Sequence, residues 1–253
     1  MFKEYLILLL LAHIVGDFYI QTNNIANKKE ESIKWVLIHS FYYWITFLVI
    51  SVPVLSWKIA YGVTIAATLH ALIDVMKYFY INNIIKTENT INMIKDRNIF
   101  FGDQLLHFIC LVLISYIFVL KNDSISLCSI FFRFFNITGI PKMTMVSWGL
   151  ALLIIHKPSN IAISKLLAKY KPEISEDEKI KDNNAGRFIG TVERIIILIF
   201  ISIGQYSAIG LVLTAKSIAR YDRISKEKDF AEYYLLGTLI STFIVIVVSL
   251  VIR

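Results

Sequence analysis

Long apolar stretches constrain this chain more than any other feature of its sequence. Several of them run for about 20 residues, the length that an α-helix needs to cross about 30 Å of hydrocarbon. Only 18% of the residues are charged, whereas soluble domains average about 25%. The sequence therefore predicts an all-α, polytopic membrane protein and excludes a soluble globule or a disordered chain.

The stretches predict six to seven transmembrane helices. The first four are joined by short loops, so we expect antiparallel hairpins that form an N-terminal four-helix bundle. These four cover residues 4–21, 32–54, 57–81 and 99–120. A shorter stretch at 143–155 is the candidate seventh span, and the last two spans are expected at 188–215 and 231–252.

Three regions follow from this pattern. Residues 1–120 are the predicted bundle, and residues 186–253 are a predicted C-terminal membrane hairpin. Residues 121–185 lie between them. This middle region holds a linker, the shorter candidate span, an amphipathic helix at 158–171 expected at the membrane surface, and a charged loop at 173–184.

Net charge and cysteine content exclude two further classes of protein. The net charge of +7 is expected for a membrane protein, whose cytoplasmic loops are rich in Lys and Arg. The distribution of these residues weakly favours a cytoplasmic position for the loops that follow the first and third helices. No basic stripe carries interleaved aromatic residues, so nucleic acid is not an expected partner. Cys110 and Cys128 supply neither a disulfide framework nor a cysteine metal cluster.

Seven ionisable side chains interrupt the first four spans. They are His13, Asp17, His39, His70, Asp74, Asp103 and His107. In three of the helices a histidine and an aspartate are four residues apart, so both side chains project from one face, one turn apart. Because charged groups at membrane depth are costly, this set indicates a functional site.

Antiparallel alternation places all seven groups on one side of the membrane. The first and third helices carry them near their C-terminal ends, and the second and fourth near their N-terminal ends. At 1.5 Å per residue, the histidines are expected about 10–12 Å inside the helix ends and the aspartates about 6 Å. The sequence therefore predicts four imidazoles beneath three carboxylates, with the opposite half of the bundle apolar.

The pattern also has the form of an imperfect duplication, which favours a metal site. LAHIVGDF with the later His39 parallels TLHALIDV with the later His107, and metal sites in bundle cores take ligands from such facing helices. Imidazole and carboxylate without thiolate indicate a divalent metal: Zn first, with Mn or Fe as alternatives. The pattern leaves open whether the site holds one ion or two. A proton or ion relay without metal and a structural polar network are the other interpretations.

Further polar residues adjoin this set. Gln21, Lys77 and Gln104 are expected to contact a substrate or lipid head group, although snorkelling to the interface explains Lys77 equally well. Trp35, Tyr42 and Tyr43 flank His39, where an interfacial aromatic belt explains them at least as well as substrate stacking.

Four carboxylates are candidate catalytic residues. Asp17, Asp74 and Asp103 belong to the seven, and Glu193 enters the sixth apolar stretch, where it is a candidate general base or extra ligand. A local ion pair between Glu193 and Arg194 is the alternative.

The motifs resemble those of a known family. LAHIVGDFYIQ, His39, HALIDVMK and FGDQLLH, followed by GRFIGTVER, AKSIAR and AEYYLLGTLIS, resemble the bacterial membrane family catalogued as domain of unknown function 3307. The resemblance covers nearly the whole chain. It implies a multi-pass protein of the bacterial cytoplasmic membrane and implies no activity. A looser likeness, resting on histidines in short apolar helices, is to the membrane-bound metal-dependent hydrolases of bacteria.

These observations favour a metal-dependent hydrolase, in which a bound ion activates water and a carboxylate takes its proton. A site about 6–12 Å below the surface reaches bonds near a lipid head group, so a lipid or lipid-linked ester is the expected substrate. A divalent-ion or proton transporter and a non-catalytic sensor or docking module are the other classes. Membrane lipids are expected partners, and a second copy of the chain is a further candidate.

Overall fold

A computed structural model describes residues 1–88, 91–121, 125–172 and 185–252, without the side chains of 85–88 and 185. These ranges are helical with short connections and contain no strand, which confirms the all-α prediction. Five helices are long and apolar enough to cross a membrane, or six if a bent pair at the N-terminus is one span. The protein is therefore a polytopic membrane protein. The predicted charged loop at 173–184 lies outside the described residues.

The chain forms two compact units, residues 1–150 and 151–253. The helices of the first unit are α1 (Phe2–Ile14), α2 (Asn23–Glu31), α3 (Ile33–Ser51), α4 (Trp57–Glu88), α5 (Met93–Leu120) and α6 (Ser129–Thr138). Helix α7 (Lys142–Leu167) runs from the first unit into the second. The second unit then contains α8 (Ala185–Ser202), α9 (Tyr206–Ile218), α10 (Tyr221–Lys226) and α11 (Lys228–Ile252). The three predicted regions, with boundaries at 120 and 185, stay predictions.

Helices α1, α3, α4 and α5 form a four-helix bundle in the first unit. Each helix contacts two neighbours, in the cyclic order α1, α3, α4, α5. Side-chain caps fix two of the starting points, since the hydroxyl of Ser32 accepts from the backbone N–H of Lys34 and the side chain of Asn92 accepts from that of Ile94. The short α2 lies outside this ring, beyond a bend of 86°.

Helices α4 and α5 are longer than the sequence predicts. The polar residues between the third and fourth apolar stretches continue both helices, because a helix that leaves the hydrocarbon needs no apolar surface. His70 and His107 therefore lie about 20 Å from both ends of their candidate spans. Measured from the helix ends, the predicted 10–12 Å agrees with the positions of His13 and His39, whereas His70 and His107 lie farther from the ends of their longer helices.

Helix α7 joins two predicted elements into one. The short fifth stretch and the predicted surface helix are a single helix, which extends as a candidate span over Lys142–Tyr170. Pro158 lies inside it and cannot donate to the carbonyl of Ile154. The hydroxyl of Ser159 donates to that oxygen at 2.7 Å instead. The helix therefore continues past the proline with its carbonyl satisfied, so the prediction of a separate surface helix is wrong.

The predicted single span at 188–215 is a pair of helices instead. Helix α8 ends at Ser202, and α9 begins at Tyr206. Gly204 between them has φ +74°, a left-handed conformation that glycine adopts without strain. Lys216 of α9 is 2.6 Å from Glu193 of α8, so the two helices lie side by side after the break.

The half of the bundle away from the histidines is an apolar core. It includes Leu9, Phe47, Val63, Leu111 and Phe118, all nearly inaccessible.

Two aromatic rings and a glycine pack tightly in this core. The rings of Tyr5 and Phe118 stack with their centroids 4.7 Å apart, and the ring of Phe118 lies directly against Gly62. Helices α1, α4 and α5 therefore close against one another at this level.

Replacing Gly62 with alanine should destabilise the bundle. A Cβ atom there would lie 2.0 Å from Cζ of Phe118, whose ring is held by Tyr5. Overpacking of this kind costs about 1–3 kcal/mol, so the midpoint of denaturant unfolding in detergent should fall. Gly149→Ala is the control, because nothing lies within 4 Å of its Cβ position. Equal midpoints for the two variants would contradict the close packing.

Candidate metal centre

All seven intramembrane histidines and aspartates come together inside the bundle. Each is at most 8% exposed. The ring of His70 is central, with its centroid 4.2 Å from that of His107, 5.4 Å from that of His39 and 5.9 Å from that of His13. The three aspartates contact this group of rings, so the structure assembles in space what the sequence places on four separate helices.

Three ligand atoms converge on one point. Nε2 of His39 is 3.2 Å from Nε2 of His70 and 3.6 Å from Oδ2 of Asp74. Nε2 of His70 is 3.3 Å from the same carboxylate oxygen. Oδ1 of Asp17 lies beside this triangle, 3.3 Å from Nε2 of His39.

These distances are compatible with a bound metal ion. Two ligands of a tetrahedral Zn²⁺, with bonds of 2.0–2.1 Å, lie about 3.3 Å apart. Nε2 of His39 faces three nitrogen or oxygen atoms, whereas a ring nitrogen carries one hydrogen at most. The donor set of imidazole and carboxylate suits a divalent ion. The groups Asp17, His39, His70 and His70, Asp74, His107 can each hold a metal.

A chain of contacts extends from His70 to Asp103. Nδ1 of His70 is 3.2 Å from Nδ1 of His107, and Nε2 of His107 is 3.4 Å from Oδ1 of Asp103. Metal-binding histidines usually donate their second ring N–H to a partner of this kind. With Nε2 of His70 directed at the convergence point, its Nδ1–H is the donor to His107. Nε2–H of His107 then faces Asp103.

Gln104 connects two of the carboxylates and determines the role of His13. Its amide nitrogen is 3.0 Å from Oδ2 of Asp17 and 3.3 Å from Oδ2 of Asp103. Its oxygen therefore accepts from Nε2–H of His13 at 3.3 Å. Nδ1 of His13 is then an acceptor, and the hydroxyl of Tyr43 donates to it at 3.0 Å. Both nitrogens of His13 are occupied.

Two lysines neutralise two of the aspartates. Nζ of Lys29, from α2, donates to Oδ2 of Asp74 at 2.7 Å and to Oε1 of Gln21 at 3.0 Å. Nζ of Lys77 donates to Oδ2 of Asp103 at 2.9 Å. Lys77 therefore pairs inside the cluster, in place of the snorkelling that the sequence left open.

The helix that carries Asp17 changes its winding at that point. Val15–Ile20 form a π-helical turn, and such turns are frequent at functional sites. Two of the three four-residue pairs are in contact, His70 with Asp74 and His107 with Asp103. Asp17 contacts His39 on the neighbouring helix in place of His13. The wider turn rotates the carboxylate away from the face that α-helical spacing predicts.

Tyr43 is part of the cluster and not of an interfacial belt. It is 1% exposed, and its ring stacks on that of His70 with centroids 3.6 Å apart. A Cβ atom at Gly16 would lie 2.8 Å from this ring, so glycine is required for the close approach of α1. Tyr43 follows His39 by one helical turn, and that spacing is the sequence pattern by which it could have been found.

Glu193 lies in the second unit. Its carboxylate is 2.6 Å from Nζ of Lys216, and this pair takes the place of the expected pair with Arg194. Arg194 is 2% exposed and donates to neutral oxygens, at 2.7 Å to the carbonyl of Ile155 and at 2.6 Å to the side chain of Asn160. The role of Glu193 as a general base or ligand stays a prediction.

Comparison with known proteins gives a family without an assigned activity. The model of the family described as "Protein of unknown function (DUF3307)" matches residues 5–134, the part of the chain that contains all seven groups. No curated protein and no solved structure matches the chain.

Replacing Gln104 with leucine should destabilise the protein. The variant loses the donors to Asp17 and Asp103 and the acceptor for His13, and each buried polar group left unsatisfied costs about 1–3 kcal/mol. The midpoint of denaturant unfolding in detergent measures the loss. Gln205→Leu, at an exposed position of the second unit, is the matched control. A Gln104→Leu midpoint equal to that of the control would contradict the proposed network.

Proposed function

Because the chain belongs to the DUF3307 family, whose description assigns no activity, we propose from the geometry of the site that it is a membrane-embedded, metal-dependent hydrolase. The observation that carries this proposal is the convergence of two imidazole nitrogens and one carboxylate oxygen within 3.2–3.6 Å of one another. The proposed substrate is a lipid or lipid-linked ester, and the proposed location is the bacterial cytoplasmic membrane.

His39, His70 and Asp74 are the proposed ligands. Three protein ligands and one open position are typical of catalytic zinc sites, and Mn or Fe are alternatives with the same donor set. His13 is excluded from this set, since both of its nitrogens bond to Tyr43 and Gln104. We assign it as a positioning residue that holds Gln104 against Asp17.

Asp17 is the proposed general base. Gln104 holds its Oδ2, and its Oδ1 stays directed at the ligand triangle, 3.3 Å from Nε2 of His39. A metal held by His39, His70 and Asp74 would supply Lewis acidity. In hydrolysis, Asp17 would take the proton of the attacking water as the water oxygen bonds to the acyl or phosphoryl centre, and the departing alkoxide would recover that proton.

Asp103 and His107 support the ring of His70 on the side away from the proposed metal. Nδ1 of His70 contacts His107, and His107 contacts Asp103. These contacts fix the orientation of the His70 ring and leave its Nε2 free for metal. Lys77 compensates the charge of Asp103. We assign both Asp103 and His107 as positioning residues.

The apolar core favours a one-sided site over a transport path. A transporter of ions or protons needs polar groups through both leaflets. Beyond the histidines, the bundle is closed by residues such as Leu9, Phe47 and Val63 and by the stacked rings of Tyr5 and Phe118. A polar cluster that is closed by apolar packing on one side suits an enzyme better than a transport path.

Metal analysis of the purified protein tests the ligand assignment. The wild type should contain about one divalent ion per chain, and His70→Ala and Asp74→Ala should lose it. His13→Ala should keep the ion but bind it about 10–100-fold more weakly, as expected for a residue outside the ligand set. His156→Ala is the control, since this histidine lies outside the bundle core. A metal-free wild type that is folded would contradict the proposal.

Hydrolysis of a membrane lipid extract tests the enzymatic assignment. Turnover by the metal-loaded protein should fall about 10²–10⁴-fold in Asp17→Asn, the usual contribution of a general base, while bound metal is retained. Asp229→Asn, at an exposed position of the second unit, should leave turnover unchanged. Bound metal without turnover of any lipid class would contradict the hydrolase and favour a sensing or docking module.

A further inference from the structure

We propose that Lys29 and Lys77 form a binding pair for a phosphate group at the metal site, and that the substrate is therefore an anionic phosphate ester. The inference rests on the proposed function, because it concerns the substrate of the same site. It selects one chemical class among the lipid esters that a metal-dependent hydrolase can cleave.

The charges of the metal-loaded site favour an anionic ligand. The cluster contains three aspartates and two paired lysines, Lys29 and Lys77, which leaves one negative charge with neutral histidines. A divalent ion changes this balance to one positive charge. Because an uncompensated charge in a buried site is costly, the metal-loaded site favours a ligand that brings negative charge. A phosphate ester does so, whereas a carboxylic ester is neutral.

The two lysines are more exposed than the aspartates with which they pair. The side chains of Lys29 and Lys77 are 11% and 29% exposed, whereas those of their partners Asp74 and Asp103 are 2% and 5% exposed. Lys77 lies one turn beyond Asp74, nearer the C-terminal end of α4. A ligand that approaches from this end therefore meets the ammonium groups before the carboxylates.

Metal binding makes Lys29 available. Its Nζ shares Oδ2 of Asp74 with the ring nitrogens of His39 and His70. When that oxygen coordinates a cation, its attraction for the ammonium group falls. Lys29 belongs to α2, beyond the 86° bend, and its long side chain can turn from the carboxylate to a phosphate oxygen. Ammonium groups are effective phosphate ligands.

A purely structural role for the two lysines gives different expectations. As counter-ions, they would be needed for folding and for metal binding, and they would not affect anions. If the two lysines are phosphate ligands, their ammonium groups are paired with the aspartate carboxylates only while no metal is bound. In the metal-free protein they therefore compete with a metal ion for those carboxylates. Removing Lys29 should then leave metal binding intact or strengthen it, and should weaken the binding of phosphate.

Calorimetric titration of the full-length, metal-loaded protein in detergent tests this proposal. The probes are orthophosphate and a short-chain phosphatidate, which represent a free phosphate and a lipid head group. The wild type should bind at least one probe, and only when metal is present. Lys29→Gln and Lys77→Gln should each weaken binding about tenfold to hundredfold, since each removes a charged hydrogen bond. The tighter of the two probes identifies the source of the phosphate.

The controls separate this proposal from the proposed function. Lys34→Gln removes an exposed lysine from the first turn of α3 and should leave phosphate affinity unchanged. Lys29→Arg and Lys77→Arg keep the charge and should largely retain binding. Equal phosphate affinity in all Gln variants, no phosphate binding by the metal-loaded wild type, or loss of metal in Lys29→Gln would overturn the proposal. A wild type without metal would instead contradict the proposed function itself.

Discussion

The compensation of buried charge determines how this bundle is built. Three aspartates lie inside a group of apolar helices, where an unpaired carboxylate would be costly. Two are compensated by lysines, Asp74 by Lys29 and Asp103 by Lys77, whereas Asp17 contacts the side chains of Gln104 and His39. Asp17, the aspartate without a lysine, lies with Asp74 beside the converging nitrogen atoms of His39 and His70. The carboxylate that no lysine neutralises therefore belongs to a group of atoms that could hold a cation.

The same bundle combines a polar half and an apolar half with different mechanical roles. On the apolar side, the helices are held together by the close packing of Gly62, Phe118 and Tyr5. On the polar side the helices are held through hydrogen bonds and ion pairs, several of which involve long side chains. The packing that holds the four helices together therefore lies apart from the polar network.

Much of the site could be predicted from the sequence, because polar residues inside apolar helices are conspicuous. The helix spacing of His70 with Asp74, and of Asp103 with His107, is realised as direct contact. The contribution of Lys29 could not be predicted, since it depends on an 86° bend that brings a residue from outside the spans back to Asp74.

The fold was less predictable where helices begin, end or bend. Apolar content marks what lies in the membrane, but it does not mark where a helix stops. Helices α4 and α5 therefore extend beyond their apolar stretches. Helix α7 passes Pro158 because Ser159 replaces the missing donor, and Gly204 divides a stretch that looks continuous in composition.

The π-helical turn at Val15–Ile20 breaks the internal symmetry of the bundle. Without this turn, the two similar sequence patterns would present equivalent histidine–aspartate pairs. The wider turn directs Asp17 across to His39 and leaves His13 to Tyr43 and Gln104. The first hairpin thereby brings Asp17 and His39 together from two different helices, while the second brings His70 and Asp74 together on one helix, so a single π-helical turn makes two similar sequence patterns unequal in space.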